Sequence, residues 1–116
     1  MKDNQIALKT HAFARRMVKA YQYLLEKKEY NMSNQLVRSG TSVGAMVKEA
    51  EFAQSKADFI NKMSIALKEA NETRYWLDLL RYGDYLEDDI YMSLDKDIKE
   101  IISILVAIVK STKDNQ

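Results

Sequence analysis

Cysteine and proline are both missing from this 116-residue chain, histidine occurs once, and glycine is confined to positions 40, 44 and 83. Without cysteine there is no disulfide scaffold, no thiolate nucleophile, no iron–sulfur cluster and no zinc site that needs sulfur. A lone His11 likewise excludes metal sites built on paired histidines. Average usage would place about six prolines in a chain of this length, so long regular elements with few turns are expected. No basic, apolar and small-residue leader pattern is visible, and no apolar run approaches the ~20 residues of a membrane span. The expectation is a soluble, cytoplasmic protein with no membrane partner.

What is present suits a folded core. Hydrophobic residues make up 47% of the chain and charged residues of both signs 30%, and the length, residues 1–116, is that of one domain. Ile6, Thr10, Phe13, Met17, Ala20, Tyr21 and Leu24 recur at the three-and-four spacing of one helix face. A second stripe reads Leu36, Gly40, Val43, Val47 and Ala50, its small members allowing a neighbouring backbone to come close, with Ser33 as its N-cap and Met32 and Val37 as a hydrophobic staple. Ser55-Lys56-Ala57-Asp58 has the spacing of a capping box, after which Phe59, Met63, Ala66, Ala70, Thr73, Leu77 and Leu80 form a third stripe. Gly83 suits the left-handed residue that ends a helix, and the acidic run from Asp84 to Asp89 favours the start of another. That last helix carries Ile90, Leu94, Ile98, Ile101, Leu105 and Ile108, and leaves a frayed tail from Lys113. The spacing therefore predicts helices at roughly 3–29, 33–53, 56–82 and 88–111, in an all-α, antiparallel up-and-down four-helix bundle.

Apolar residues exceed what one bundle can cover. Between Ile101 and Val109 the only polar side chain is Ser103, so apolar groups point almost all round the helix. Near the end of the third helix Tyr75, Trp76, Leu79 and Tyr82 lie beside or beyond the core stripe. At ~25 cal/mol per Å2, even ~400 Å2 of such surface corresponds to ~10 kcal/mol before association costs. This points to a homo-oligomer with Trp76, Leu79, Ile102, Ile104, Val106 and Val109 at subunit contacts, the alternative being a monomer with an untidy apolar helix end. A membrane-surface helix fits less well, because Lys110 and Lys113 alone make a thin basic face.

Net charge is +1 but unevenly distributed. Residues 1–30 hold seven basic and three acidic side chains, a surplus of four positive charges, whereas residues 84–116 hold four basic and eight acidic ones. Lys2, Lys9 and Arg16 recur every seven residues, with Arg15 and Lys19 beside them. Such a stripe could follow the phosphates of RNA or DNA. The competing structural reading, favoured by overall neutrality, is a face that pairs with the acidic fourth helix. No nucleotide-binding or nucleophile-elbow signature occurs, and di-iron bundles need a histidine on each of two helices. Glu49, Glu69 and Glu72 are the best remaining acid–base candidates, but Lys68 to Glu72 is equally an ordinary i, i+4 pair. No enzyme activity, metal or cofactor is expected, and His11 reads as a boundary or surface residue.

Arg38-Ser39, Ser42-Val43-Gly44-Ala45 and Glu49, then Ser55, Asp58-Phe59, Lys62-Met63, Lys68-Glu69-Ala70, Glu72-Thr73 and Tyr75-Trp76-Leu77, resemble the pattern of four-helix bundle proteins associated with 23S ribosomal RNA intervening sequences. Looser similarity extends over nearly the whole chain, to Val109-Lys110-Ser111. The family pattern has asparagine after the Gly-Ala pair where this sequence has Met46, which implies an apolar contact in place of a polar one. The resemblance implies an all-helical subunit that assembles into a ring, most often a homopentamer, with no established enzymatic activity. The family is also similar to the positively charged accessory bundle protein of diversity-generating retroelements, which partners a reverse transcriptase and nucleic acid; this near-neutral chain departs from it. RNA or DNA binding thus enters by analogy alone.

Overall fold

The structure, a computed structural model, describes residues 2–115, with side chains from residue 5 onward. Four helices, α1 (Lys2–Glu26), α2 (Asn31–Ala50), α3 (Lys56–Tyr82) and α4 (Asp88–Asp114), make up the chain, and no strand occurs among the described residues. They run up and down a rod of 48 × 21 × 20 Å. Neighbours in sequence, α1–α2, α2–α3 and α3–α4, pack closely, while α1 and α4 close the ring through a looser seam.

The core is built from the four expected stripes. Ile6, Thr10, Phe13, Met17 and Leu24 of α1 meet Leu36, Val43 and Val47 of α2, Met63, Ala66, Ala70, Leu77 and Leu80 of α3, and Leu94, Ile98, Ile101 and Leu105 of α4, all buried. Phe59, Ile90 and Ile108, expected on the same stripes, are half-buried at its margin. Two glycines set the α1–α2 distance. A methyl group on Gly40 would stand 2.4 Å from Cγ of Met17, and one on Gly44 would stand 3.2 Å from the Thr10 carbonyl oxygen.

Element ends differ from the expected ones for local reasons. α1 stops at Glu26, not near residue 29, because Lys28 adopts φ 63° and the amides of Lys28 and Glu29 turn back to the carbonyls of Leu25 and Leu24. α2 begins at Asn31, two residues before the expected start, and its cap is Glu29 rather than Ser33. The buried Glu29 carboxylate accepts from the amides of Ser33 and Met32 at 2.6 and 3.1 Å, and the Ser33 hydroxyl donates to the Glu29 carbonyl. α2 then ends at Ala50, where the chain tightens into a turn through Ala53 instead of continuing as helix. Gly83 is not left-handed: its φ is −80°, and Asp84 takes the turn at φ 63°, with the Asp84 and Tyr85 amides bonded to the Arg81 and Leu80 carbonyls. Aspartate tolerates that conformation better than most residues. The Ser55 cap forms as expected, its hydroxyl accepting from the Asp58 amide at 3.0 Å, while the Asp58 carboxylate accepts from the Gln54 amide at 3.3 Å. α4 continues to Asp114, one turn past the expected end. There Lys56 at the start of α3 donates to the Asn115 carbonyl at 2.7 Å.

Candidate interaction surfaces

The α2–α3 seam gathers the polar residues singled out from the sequence. Arg38 on α2 reaches across to α3, where one guanidinium nitrogen lies 3.1 Å from Glu69 and another pairs with Glu72. Glu72 also accepts from the Trp76 indole N–H at 2.8 Å. Beneath them the Ser39 and Thr73 hydroxyls meet at 3.0 Å in the buried interior. Further along, Lys62 sits 3.6 Å from Glu49. Each acid–base candidate is therefore matched to a cation on the facing helix, and the Lys68–Glu72 pair expected within α3 does not occur among the described ion pairs. This is a fastening of two helices. Acid–base chemistry needs two carboxylates held at different pKa values by their surroundings, and here both Glu69 and Glu72 answer to one arginine. No cluster of three or more His, Asp or Glu side chains able to hold a metal ion exists among the described residues. Met46 is half-buried against the core, the apolar contact its position implied.

On the opposite side the α1 basic stripe meets α4. Lys9 lies 3.1 Å from Glu100, and Arg16 lies 2.6 Å from Asp97 while also donating to the Ser93 hydroxyl at 2.9 Å. Two of the five residues proposed to follow phosphates thus pair with acidic α4, as the structural reading of the stripe required. Arg15 and Lys19 are exposed and belong to no ion pair among the described residues; the Lys2 side chain lies outside the described residues. Just past the end of α1 the Lys27 ammonium stands 5.0 Å from the centre of the Tyr23 ring, and its hydrogen bond to Tyr23 raises it above the ordinary lysine value. Between the helices runs a groove of about 600 Å3 floored by Ala20, Leu86, Ile90 and Leu94.

The residues proposed for subunit contacts are spread over three flanks. Val106 is 46% exposed and shares a shallow α3–α4 groove with Leu67 and half-buried Val109, and Ile102 is half-buried against the core. Ile104 lies on another flank of α4, in a depression with Gln5, Phe59, Ala107 and Ile108. Trp76, held by Glu72, turns toward α2, and Leu79 is half-buried. The structure therefore brings Val106 and Val109 together but separates them from Trp76 and Ile104. Exposed apolar residues not singled out for contacts from the sequence include Leu8 at 72%, Phe52 at 75% and Met92 at 62%. Each lies off the apolar stripes of the helices, so no periodic signal marks it. His11 is exposed, beside the shallow α1–α2 groove that Gly44 and Ala45 line.

A family model described as "23S rRNA-intervening sequence protein" matches residues 2–107. Among solved structures, the chain is similar to a crystal structure of a protein of unknown function from the S23 ribosomal protein family of Bacteroides thetaiotaomicron VPI-5482. The two share 53% sequence identity over 95% of this chain and 99% of that one, with a TM-score of 0.93. A search of curated proteins gave no match.

Proposed function

We propose, from the premise that the chain belongs to the 23S rRNA-intervening sequence protein family, that it is a non-enzymatic subunit of a homo-oligomeric ring in the cytoplasm, five copies being the favoured number. The observation that carries this reading is the C-terminal half of α4. Its core face is fully engaged by Ile98, Ile101 and Leu105, yet Val106 and Val109 on one flank and Ile104 and Ala107 on another remain at the surface. A second copy is the simplest cover for apolar surface on a helix that has already filled its own core. The pairing of Glu49, Glu69 and Glu72 with cations supports the absence of catalysis. Light scattering at micromolar concentration should return about five times the 13.5 kDa subunit mass, and Val106→Glu should lower it. A monomer mass for the unmodified chain would overturn the reading.

A second reading, an accessory protein for RNA or DNA, draws on the ribosomal RNA in the family's description and on exposed Arg15 and Lys19. It requires binding to structured RNA that weakens with salt and is lost on reversing Arg15 and Lys19. Lys9 and Arg16 are already committed to Glu100 and Asp97, so reversing those two would test packing as much as binding.

A further inference from the structure

The α1–α4 groove differs from the other surface depressions of the bundle in its charge. The α1–α2 groove has Lys48 beside Glu51, and the α3–α4 groove has Lys110 and Lys113 beside Asp114. The depression around Ile104 has no charged side chain in its lining. The α1–α4 groove is lined by Arg15, Arg16 and Lys19 and by no carboxylate, over an aliphatic floor. In a chain of net charge +1 this local surplus is no general background.

Its origin lies in the packing. Gly40 and Gly44 let α1 settle onto α2, and Ala20 offers only a methyl group toward Leu86, Ile90 and Leu94 across the seam. Long polar side chains, Lys9 and Arg16, span the gap above. Arg16 is engaged by Asp97 and Ser93, which leaves Arg15 and Lys19, one turn apart on the same rim, as cations without a carboxylate partner among the described residues.

We propose that this groove binds a fatty carboxylate, with its tail on Ala20, Leu86, Ile90 and Leu94 and its head between Arg15 and Lys19. The volume of about 600 Å3 falls within the ~300–1,000 Å3 of small-molecule sites, which are mostly apolar with a few placed polar groups. Guanidinium and ammonium groups both bind carboxylates through charge-assisted hydrogen bonds. Nucleic acid fits the floor poorly, because stacking needs aromatic faces and Tyr23 is the only aromatic side chain in the lining.

The test is a titration of the full-length protein with decanoate, below the concentration at which it forms micelles, followed by methyl NMR and calorimetry. Saturable shifts at the Ile90, Leu86 and Leu94 methyl groups are expected. Acetate, a head without a tail, and decyltrimethylammonium, a tail with the opposite charge, should produce none. The surface variant Arg15→Glu/Lys19→Glu should weaken decanoate binding about tenfold or more. Ala20→Phe, which fills the groove, should abolish binding with the helical circular dichroism signal retained. Equal binding of decyltrimethylammonium, unchanged affinity in the charge-reversed variant, or saturable shifts mapping elsewhere would each overturn the proposal. So would failure to bind in an oligomer whose Ile90 methyl is already shielded by a second copy, which would assign the groove to subunit contact. The native mass of the unmodified chain is read independently, so this site and the ring stand or fall separately.

Discussion

Among the described residues two carboxylates are buried, and each is satisfied differently. Glu29 accepts two amides at the start of α2, where the unpaired N–H groups and the helix dipole favour negative charge. Asp95, 6% exposed, is bracketed by Arg74 of α3 at 3.0 Å and Lys99 of its own helix at 3.2 Å. Arg74→Ala removes the cross-helix partner and leaves only the exposed Lys99. It should cost about 1–3 kcal/mol in urea unfolding, because a buried carboxylate stays behind with half its compensation. Gly40 offers a sharper test. Helix propensity alone would make Gly40→Ala stabilising by about 1 kcal/mol, but the added methyl group collides with fully buried Met17. The expected result is destabilisation of about 1–3 kcal/mol from overpacking. The penalty should shrink in a Met17→Ala background, which a double-mutant cycle measures.

For elements, legibility followed periodicity. The α3 stripe from Met63 to Leu80 and the Ser55 cap were readable because apolar spacing and a hydroxyl three residues before an acid are local patterns. Ser55→Ala should therefore lower the melting temperature by the equivalent of about 1 kcal/mol. What was not readable depended on geometry between elements or on backbone torsion. Nothing in the residue order says that Lys28 and Asp84, rather than Gly83, take the left-handed positions. That Glu29 caps α2 from outside the helix was equally hidden, because glutamate is an uncommon cap and Ser33 stood where one is usual. Gly44 lies off the apolar stripe, so nothing in the residue order marks it as a contact residue, and its role shows only with Thr10 against it. The polar residues of α2 and α3 were visible as a pattern, but only the structure shows that Arg38, Glu69, Glu72 and Trp76 form one clasp.

Over the whole molecule, the charge asymmetry between the chain's first and last quarters is resolved within the subunit, where α1 lies against α4. The four sides of the bundle are consequently not equivalent. Three are closely packed seams, and the fourth is a looser one bridged by Lys9–Glu100 and Arg16–Asp97, both partly open to solvent. Pairs of that exposure contribute ~0–1 kcal/mol each, and their attraction is screened as the Debye length falls from ~8 Å at physiological ionic strength to ~3 Å at 1 M. Electrolyte concentration should therefore act as a selective solvent for one edge. In concentrated sodium chloride, amide exchange should quicken along the facing turns of α1 and α4 while the α2–α3 interior keeps its protection. The looser seam would then be the side of the rod that breathes first as salt rises.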